Sequence, residues 1–493
     1  MRKLCSLWLS LCLIIGLFAV IPASASAETL YPVPRVTIIT DNGNGTTLEK
    51  ADGYVNAAIS ITDVNGETLS DSVQLKVRGN STALPFVTKK AFTFKFNKKR
   101  EVLGMGKGKK WALLANAFDP TLLRNYIAFD LAHTLKLDYT SEQRFVELWV
   151  DGSYRGCYTL MEPVQDGKDR VDIDIESNGG MNDFLIEREA TRSEDDVTYF
   201  KTEGIRFAVS EPKEPTGEQL NYIRSTMDDI MATVKSGDRD AISAKIDIPS
   251  FVSYYLLNEL YKTADFNFSS VFFYYKEGVL YAGPAWDYDL AAGNSNSAYS
   301  ANAAASADSE GLFAANSHLY RYLCSYDWFN DEVRDAFRLY HDDFANIAAE
   351  GGMIDHLLEE YRPLFDRNYT SAGWNVGKWW VNVQKKPLST YDENVAYLRD
   401  WLSARVSWLN EYFRVPDEPV LSVLLGDADG DGEVTIVDAT CIQRHLAELT
   451  TASYLAAASD ADGDGIVTVI DATCIQRYLV DLSAPENIGK PIE

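Results

Sequence analysis

The 493-residue chain has little of what most hydrolases require. Its five histidines are scattered, and neither an HExxH helix nor a GxSxG elbow occurs, so zinc peptidase and serine hydrolase chemistry lack their ligands and their nucleophile. It has no P-loop and no kinase-type glycine-rich loop. The glycines of GMGKGKK, from Gly104 to Lys110, fit neither spacing and read as a solvated loop. Of six cysteines, Cys441 and Cys474 occupy equivalent apolar positions in a repeat and read as small core residues rather than a disulfide framework, while Cys157 and Cys324 are isolated and the sequence leaves their pairing open. Positive charge is scarce as well: 46 Lys and Arg stand against 72 Asp and Glu, for a net charge of −26. Nucleic acid and anionic membrane are therefore poor partners.

Only one long apolar run is present, from Leu4 to Ile21, preceded by Arg2 and Lys3 and followed by Ala25-Ser26-Ala27. That order predicts a secretory leader over residues 1–27, with Glu28 as the first residue of an exported, extracellular chain that has no membrane span. Losing Arg2 and Lys3 leaves 44 positive charges against 72 negative, or −28, which keeps such a chain dispersed.

The strongest signal is a duplication. DADGDGEVTIVDATCIQRHL returns thirty-three residues later as DADGDGIVTVIDATCIQRYL. In each copy, positions 1, 3 and 5 offer carboxylates, position 6 is the glycine that a sharp turn needs (Gly432, Gly465), and an aspartate closes the loop at position 12. Asp427, Asp429, Asp431 and Asp438 are the expected side-chain ligands of one Ca²⁺, and Asp460, Asp462, Asp464 and Asp471 those of a second. Glu433 and Ile466, at position 7, are expected to add backbone carbonyls. Closing in Asp rather than Glu, with a helix after each loop and no full helix before it, the region resembles a type I-like dockerin, which implies a small all-α module that plugs into a cohesin domain of a cellulosome scaffoldin. The dockerin is expected over 425–485, with a linker at 416–424, where VPDEP marks a joint, and a tail at 486–493.

The intervening body, residues 28–415, exceeds the usual single core. Its first half alternates with period two in VTIIT, YVNAAISITD, VQLKVRG, AFTFKF and RFVELWVDGSYRGCYTLME, with a hairpin turn at Asp151-Gly152 and a helix from about Thr121 to Leu135. The second half reads as helical, broken by the hairpin VFFYYKEGVLYAG with its turn at Glu277-Gly278. Strands, then helices, then an internal hairpin predict an α+β, bilobal, protein-kinase-like body with a β-rich N-lobe and a helical C-lobe.

Phosphoryl transfer needs a cation on the phosphates, carboxylates for a metal, and an acid beside the attacking hydroxyl. The chain offers Lys90 or Lys95 on KKAFTFKF, Asp265 after the helix ending ELYKTAD, and Asp287 and Asp289 beyond the hairpin, which in an extended segment share a face and a metal. Arg78 and Asn80 in VRGNST are candidates to approach phosphate, though a tight turn explains Gly79 equally well; Glu162 in TLMEPV either marks a hinge at the adenine or ends a strand; and Arg124 is expected to pair with a nearby acid. The strings VRGNST, KKAFTFKF, GKKWALLANAFDPTLLRN, VDGSYRGCYTLMEPV, NDFLIERE and ELYKTADFNFSSVFFYYKEGVLYAGPAWDYDLAAGN are similar to the spore-coat-protein-H (CotH) kinase family. That resemblance implies an atypical kinase using ATP with Mg²⁺ or Mn²⁺ on Ser or Thr of secreted proteins, with Asp265 as the catalytic-loop aspartate and Asp287 or Asp289 on the metal. The chain departs from the family at Ala83, where Trp is usual, and at Ser270, where an Asn common to the family is absent; Asn267, nearby but shifted, is the expected nucleotide contact. A cellulosomal glycoside hydrolase and a non-catalytic binding component are the alternatives, the former because dockerins carry plant-wall enzymes and paired carboxylates cleave sugars.

Overall fold

The computed structural model describes residues 33–190, 192, 197–295, 300–374, 388–413, 424–447, 449, 454–480, 482–490 and 492. The expected leader and all of the expected linker but residue 424 lie outside them. The chain divides into two compact units, one running to Trp408 and one from Leu409. No helix among the described residues is long and apolar enough to cross a membrane.

Seven strands of the first unit close into a barrel: β1 (Arg35–Thr40), β2 (Val55–Thr62), β3 (Thr68–Arg78), β4 (Ala91–Val102), β5 (Met105–Leu114), β6 (Gln143–Val150) and β7 (Ser153–Met161). Their order is β1-β2-β3-β4-β5-β7-β6, and parallel pairing of β1 with β6 shuts the barrel. Period two explains the filling, because alternate side chains point inward. Val73, Leu75 and Val77 of β3 meet Phe92, Phe94 and Phe96 of β4 and Trp111 and Leu113 of β5 inside. The opposite parity, Lys76, Arg78, Thr93, Lys95 and Lys110, is left on the outer face.

GMGKGKK is part of β5 rather than a solvated loop. Met105 is fully buried, and a Cβ on Gly108 would stand 2.2 Å from the Arg170 guanidinium, so the glycine serves close packing. The two hairpin turns fall as expected, Asp151-Gly152 and Glu277-Gly278 all having positive φ.

The expected simple order of strands then helices is incomplete. A second, five-stranded sheet, β12-β11-β8-β10-β9, joins β8 (Phe184–Arg188), β9 (Tyr199–Thr202) and β10 (Ile205–Glu211) to the late hairpin β11 (Val271–Lys276) and β12 (Val279–Ala282). The hairpin is thus the edge of a sheet begun eighty residues earlier, which local periodicity does not reveal. Around these lie α1 (Arg124–Thr134), α2 (Gly217–Ser236), α3 (Arg239–Ser243), α4 (Ile248–Tyr261), α5 (Ala301–Ala307), α6 (Tyr320–Leu323), α7 (Asp327–Leu339), α8 (His341–Ala348), α9 (Met353–Thr370) and α10 (Tyr391–Tyr412). The first unit is therefore α+β, rich in strand first and in helix later.

The second unit contains α11 (Ile436–Leu446), α12 (Ala456–Ser459) and α13 (Val469–Leu479). Ala428, Ala439, Cys441 and Ile442 from one repeat pack on Ala461, Ala472 and Ile475 from the other, with Cys474 against them. Ile488 completes this core, and Leu425 exchanges backbone hydrogen bonds with Gly489 and Lys490. The segment set apart as a tail is therefore partly built into the module. All four described cysteines are free thiols, Cys157 and Cys324 included.

Candidate active site and calcium loops

A cavity of about 1110 Å³ brings together residues from the barrel, the second sheet and the loop after α4. The barrel contributes Lys76, Arg78, Thr93 and Lys110; the far end of β8 contributes Glu187 and Glu189; the α4 loop contributes Asp265; and the segment after β12 contributes Trp286, Asp287 and Asp289. The lining is basic where the barrel forms it; elsewhere it is acidic but for Arg192, which pairs with Glu187 and Glu189.

Asp265 follows α4, which ends at Lys262 in a left-handed conformation (φ 46°). Its neighbours are tied on every side. Asn302 Nδ2 donates to Ala264 O at 2.6 Å, Asn267 Nδ2 donates to Asn302 Oδ1 at 3.1 Å, and the Ser317 hydroxyl donates to Asn267 Oδ1. His318 Nε2 donates to Phe266 O at 2.5 Å, and Ala264 N donates to Leu290 O at 2.9 Å. Burial pushes the Asp265 carboxyl up to about 7, assisted by the charges of Asp287 and Glu189. Burial pulls the His318 imidazole down to about 3, so that strut is neutral. Asn267, expected to contact nucleotide, is instead a spoke of this frame: both ends of its amide are engaged, and it does not line the cavity.

Asp287 and Asp289 both reach the cavity, though not by strand alternation, because Asp287 has φ 67°. α1 holds this segment instead. Asn125 Oδ1 accepts from Tyr288 N at 2.7 Å, and Arg124 donates to the carbonyls of Ala291 and Ala292 while its Nη1 meets Asp119 at 2.6 Å. The pairing expected for Arg124 is present, and it has the further task of anchoring the chain just beyond Asp289. Ser270 Oγ donates to Asp287 Oδ2 at 3.1 Å, so this serine orients a carboxylate. Burial raises the Asp287 carboxyl, opposed by that bond and by Arg78; burial raises Asp289 further, with the charges of Asp287, Asp265 and Asp119 adding. Both carboxylates are thus costly as anions until a cation is present.

Arg78 brings a cation to Asp287. Its guanidinium lies 5.2 Å from the Trp286 ring centre, within electrostatic reach of Asp287, and its buried Nη1 has no hydrogen-bond partner among the described residues. Burial draws its pKa down to about 10, which leaves it charged.

Besides Asn267, three more expected cofactor contacts are not brought to the cavity. Lys90 Nζ donates to Ala83 O (3.2 Å), Leu84 O (2.8 Å) and Glu49 (2.9 Å), which satisfies the buried amine within the barrel wall. Lys95 is on the outer face of β4 but exposed and one step outside the lining. Glu162 turns to an ion pair with Arg170, while Pro163 and Val164, next along the chain, do line the cavity. Lys76 and Lys110 are the lysines of β3 and β5 that line the cavity. Their signal was in the sequence: VQLKVRG puts Lys76 and Arg78 on one face at period two, and Lys110 is opposite Lys95 in the ladder. Glu187 and Glu189 were missed because the β8 pairing is long-range; Arg192 pairs with both.

In the second unit, the carboxylates of Asp427, Asp429 and Asp431 lie within 4.8 Å of one another, as do those of Asp460, Asp462 and Asp464. Asp427 Oδ1 accepts from Gly430 N and Asp431 N, and its Oδ2 from Gly432 N; Asp460 makes the same three bonds. Asp438 and Asp471 are fully buried and serve as capping boxes, accepting from Thr435 N and Thr468 N at 2.7 Å. Position 12 thus joins each loop to its helix. Glu433 and Ile466 leave their side chains in solvent, which suits a role through the backbone. Asp429 and Asp462 have raised carboxyl pKa values, from desolvation first and then from their acidic neighbours, and a hard divalent cation would relieve that repulsion.

A family model described as CotH kinase protein matches residues 75–409, and one described as Dockerin type I domain matches residues 425–480. No curated protein matches the chain.

Proposed function

Because the chain belongs to the CotH kinase family and carries a type I dockerin at its C-terminal end, we propose that it transfers the γ-phosphate of ATP to Ser or Thr of a secreted protein while the dockerin fixes it to a cohesin. The observation that carries this reading is the pairing of Arg78, with its unpartnered buried Nη1, against Asp287 and Asp289 in one cavity. Such a site matches a polyphosphate with its divalent ion. Asp287 and Asp289 would hold Mg²⁺ or Mn²⁺, which neutralises charge developing on the phosphates. Arg78 orients the phosphates; Asp265 accepts the proton of the acceptor hydroxyl, a task its elevated pKa suits at neutral pH; and Pro163 and Val164 bound the cavity where the barrel hands over to the second sheet.

A neutral oligosaccharide would offer the unpartnered Arg78 Nη1 no anion, which favours ATP over a sugar substrate. ATP with Mg²⁺ or Mn²⁺ should therefore raise the melting temperature of the body, by an amount set by its concentration over Kd, and cello- or xylo-oligosaccharides should not. The reverse result would support the hydrolase reading.

For the dockerin, α11 and α13 each begin with an exposed apolar pair, Ile436-Val437 and Val469-Ile470. Related by the repeat, these give the module two equivalent faces for a cohesin to cover.

A further inference from the structure

The outer face of β3, β4 and β5 carries a concentration of positive charge at odds with the rest of the chain. Residues 89–110 hold nine Lys and Arg against one acid, Glu101, in a chain of net charge −26. Lys89 and Lys90 are consumed by carbonyls and Arg100 by Asp71. Lys95, however, is directly opposite Lys110 on β5, and Lys76 is diagonal to it across β3. Like charges facing each other across a ladder are unfavourable, and Lys76, Lys95 and Lys110 have no ion pair among the described residues. Burial lowers the amine pKa of both Lys76 and Lys110, and neighbouring cations lower each further.

This row is larger than a nucleotide needs. It begins at Arg78 within the cavity and continues outward through Lys76 and Lys110 to the exposed Lys95, beyond the lining. A bound triphosphate already shares its charge with a divalent ion and engages the inner cations. The outer ones remain free for a second anion arriving with the acceptor.

On the kinase reading, we infer that the Lys76–Lys110–Lys95 row binds an acidic segment of the phosphoacceptor protein, so that the enzyme selects Ser or Thr flanked by Asp and Glu. The acceptor hydroxyl then enters beside Asp265 while its acidic flank lies along the barrel face.

The test is direct binding, measured as fluorescence anisotropy on the full calcium-loaded chain with a non-hydrolysable ATP analogue and Mg²⁺. Three fluorescein-labelled peptides of equal length share a central Ser and differ in flanks: Asp/Glu, Asn/Gln or Lys/Arg. The acidic peptide should bind best, and its affinity should fall as salt rises. Lys95→Gln should weaken it about threefold and Lys95→Glu about tenfold, while nucleotide affinity is unchanged. Gln74 faces Lys95 across β3, so Gln74→Lys should tighten binding about threefold, a gain that misfolding cannot imitate. Equal binding of the three peptides, no effect of the Lys95 and Gln74 changes, or tighter binding of polygalacturonate than of the acidic peptide would overturn the inference. The kinase reading fails separately: nucleotide would not bind and no peptide would be phosphorylated, whatever the anisotropy shows.

Discussion

Asp265→Asn should make the body more stable and catalytically dead at once. The wild-type carboxyl is held at about 7 against a usual 3.8, a difference of about three units. At about 1.36 kcal/mol per unit this amounts to about 4 kcal/mol of differential cost for the ionised form. The sign follows from the direction. Below pH 4 the group is protonated folded or unfolded, and Asn gains nothing. As pH rises the unfolded chain ionises freely while the folded one resists, so wild type loses stability until pH passes 7. Asn, which cannot ionise, avoids that loss. Thermal unfolding followed by tryptophan fluorescence reads the body alone, since no tryptophan follows Trp408, and EGTA with no added Mg²⁺ keeps divalent ions out of the cavity. The variant should match wild type at pH 4 and exceed it by up to about 4 kcal/mol at pH 8. Phosphate transfer should fall by about 10² to 10⁴, the usual worth of a positioned base. An Asn variant that is less stable than wild type at pH 8, or that still transfers phosphate, would refute the assignment of Asp265 as a buried base.

Arg78→Met should weaken ATP binding at least tenfold with little change in melting temperature, read by calorimetric titration. Lys90→Met should do the reverse, losing about 1–3 kcal/mol of stability as the carbonyls of Ala83 and Leu84 lose their donor, with ATP affinity intact. Asn302→Ala, which frees Ala264 and Asn267 beside the base, should lower kcat about tenfold and leave KM for ATP unchanged; a loss confined to KM would contradict a positioning role. Calcium removal, or Asp427→Ala with Asp460→Ala, should abolish cohesin binding in a pull-down and leave the tryptophan-reported melting of the body unmoved.

How much was legible in the sequence depended on how local the determinant is. The calcium loops were readable because every ligand of a loop lies within twelve residues, and the turn and cap requirements are local too. The barrel strands and both hairpin turns were readable from period two and from Asp-Gly and Glu-Gly pairs. Asp265, Asp287 and Asp289, singled out by their order along the chain, all line one cavity. Lys95 shares the outer face with Lys76 and Lys110 but lies beyond the lining, and Lys90 is at the strand edge, where the chain folds back on it; KKAFTFKF by itself reveals neither placement. The Glu187 and Glu189 side of the cavity depends on β8 pairing with β11 across eighty residues, and the Asn302 frame on a contact from α5 to the α4 loop. No periodicity encodes such contacts.

The proposed phosphate transfer is tested most directly by incubating the chain from Glu28 onward with γ-labelled ATP, Mn²⁺ or Mg²⁺ and a secreted-protein mixture, beside Asp265→Asn and the Asp287→Asn, Asp289→Asn double variant. Metal-dependent label on Ser or Thr with wild type, absent with both variants although Asp265→Asn still binds ATP, is the predicted result. Equal labelling by all three, or a wild type that neither labels nor binds nucleotide, would contradict it.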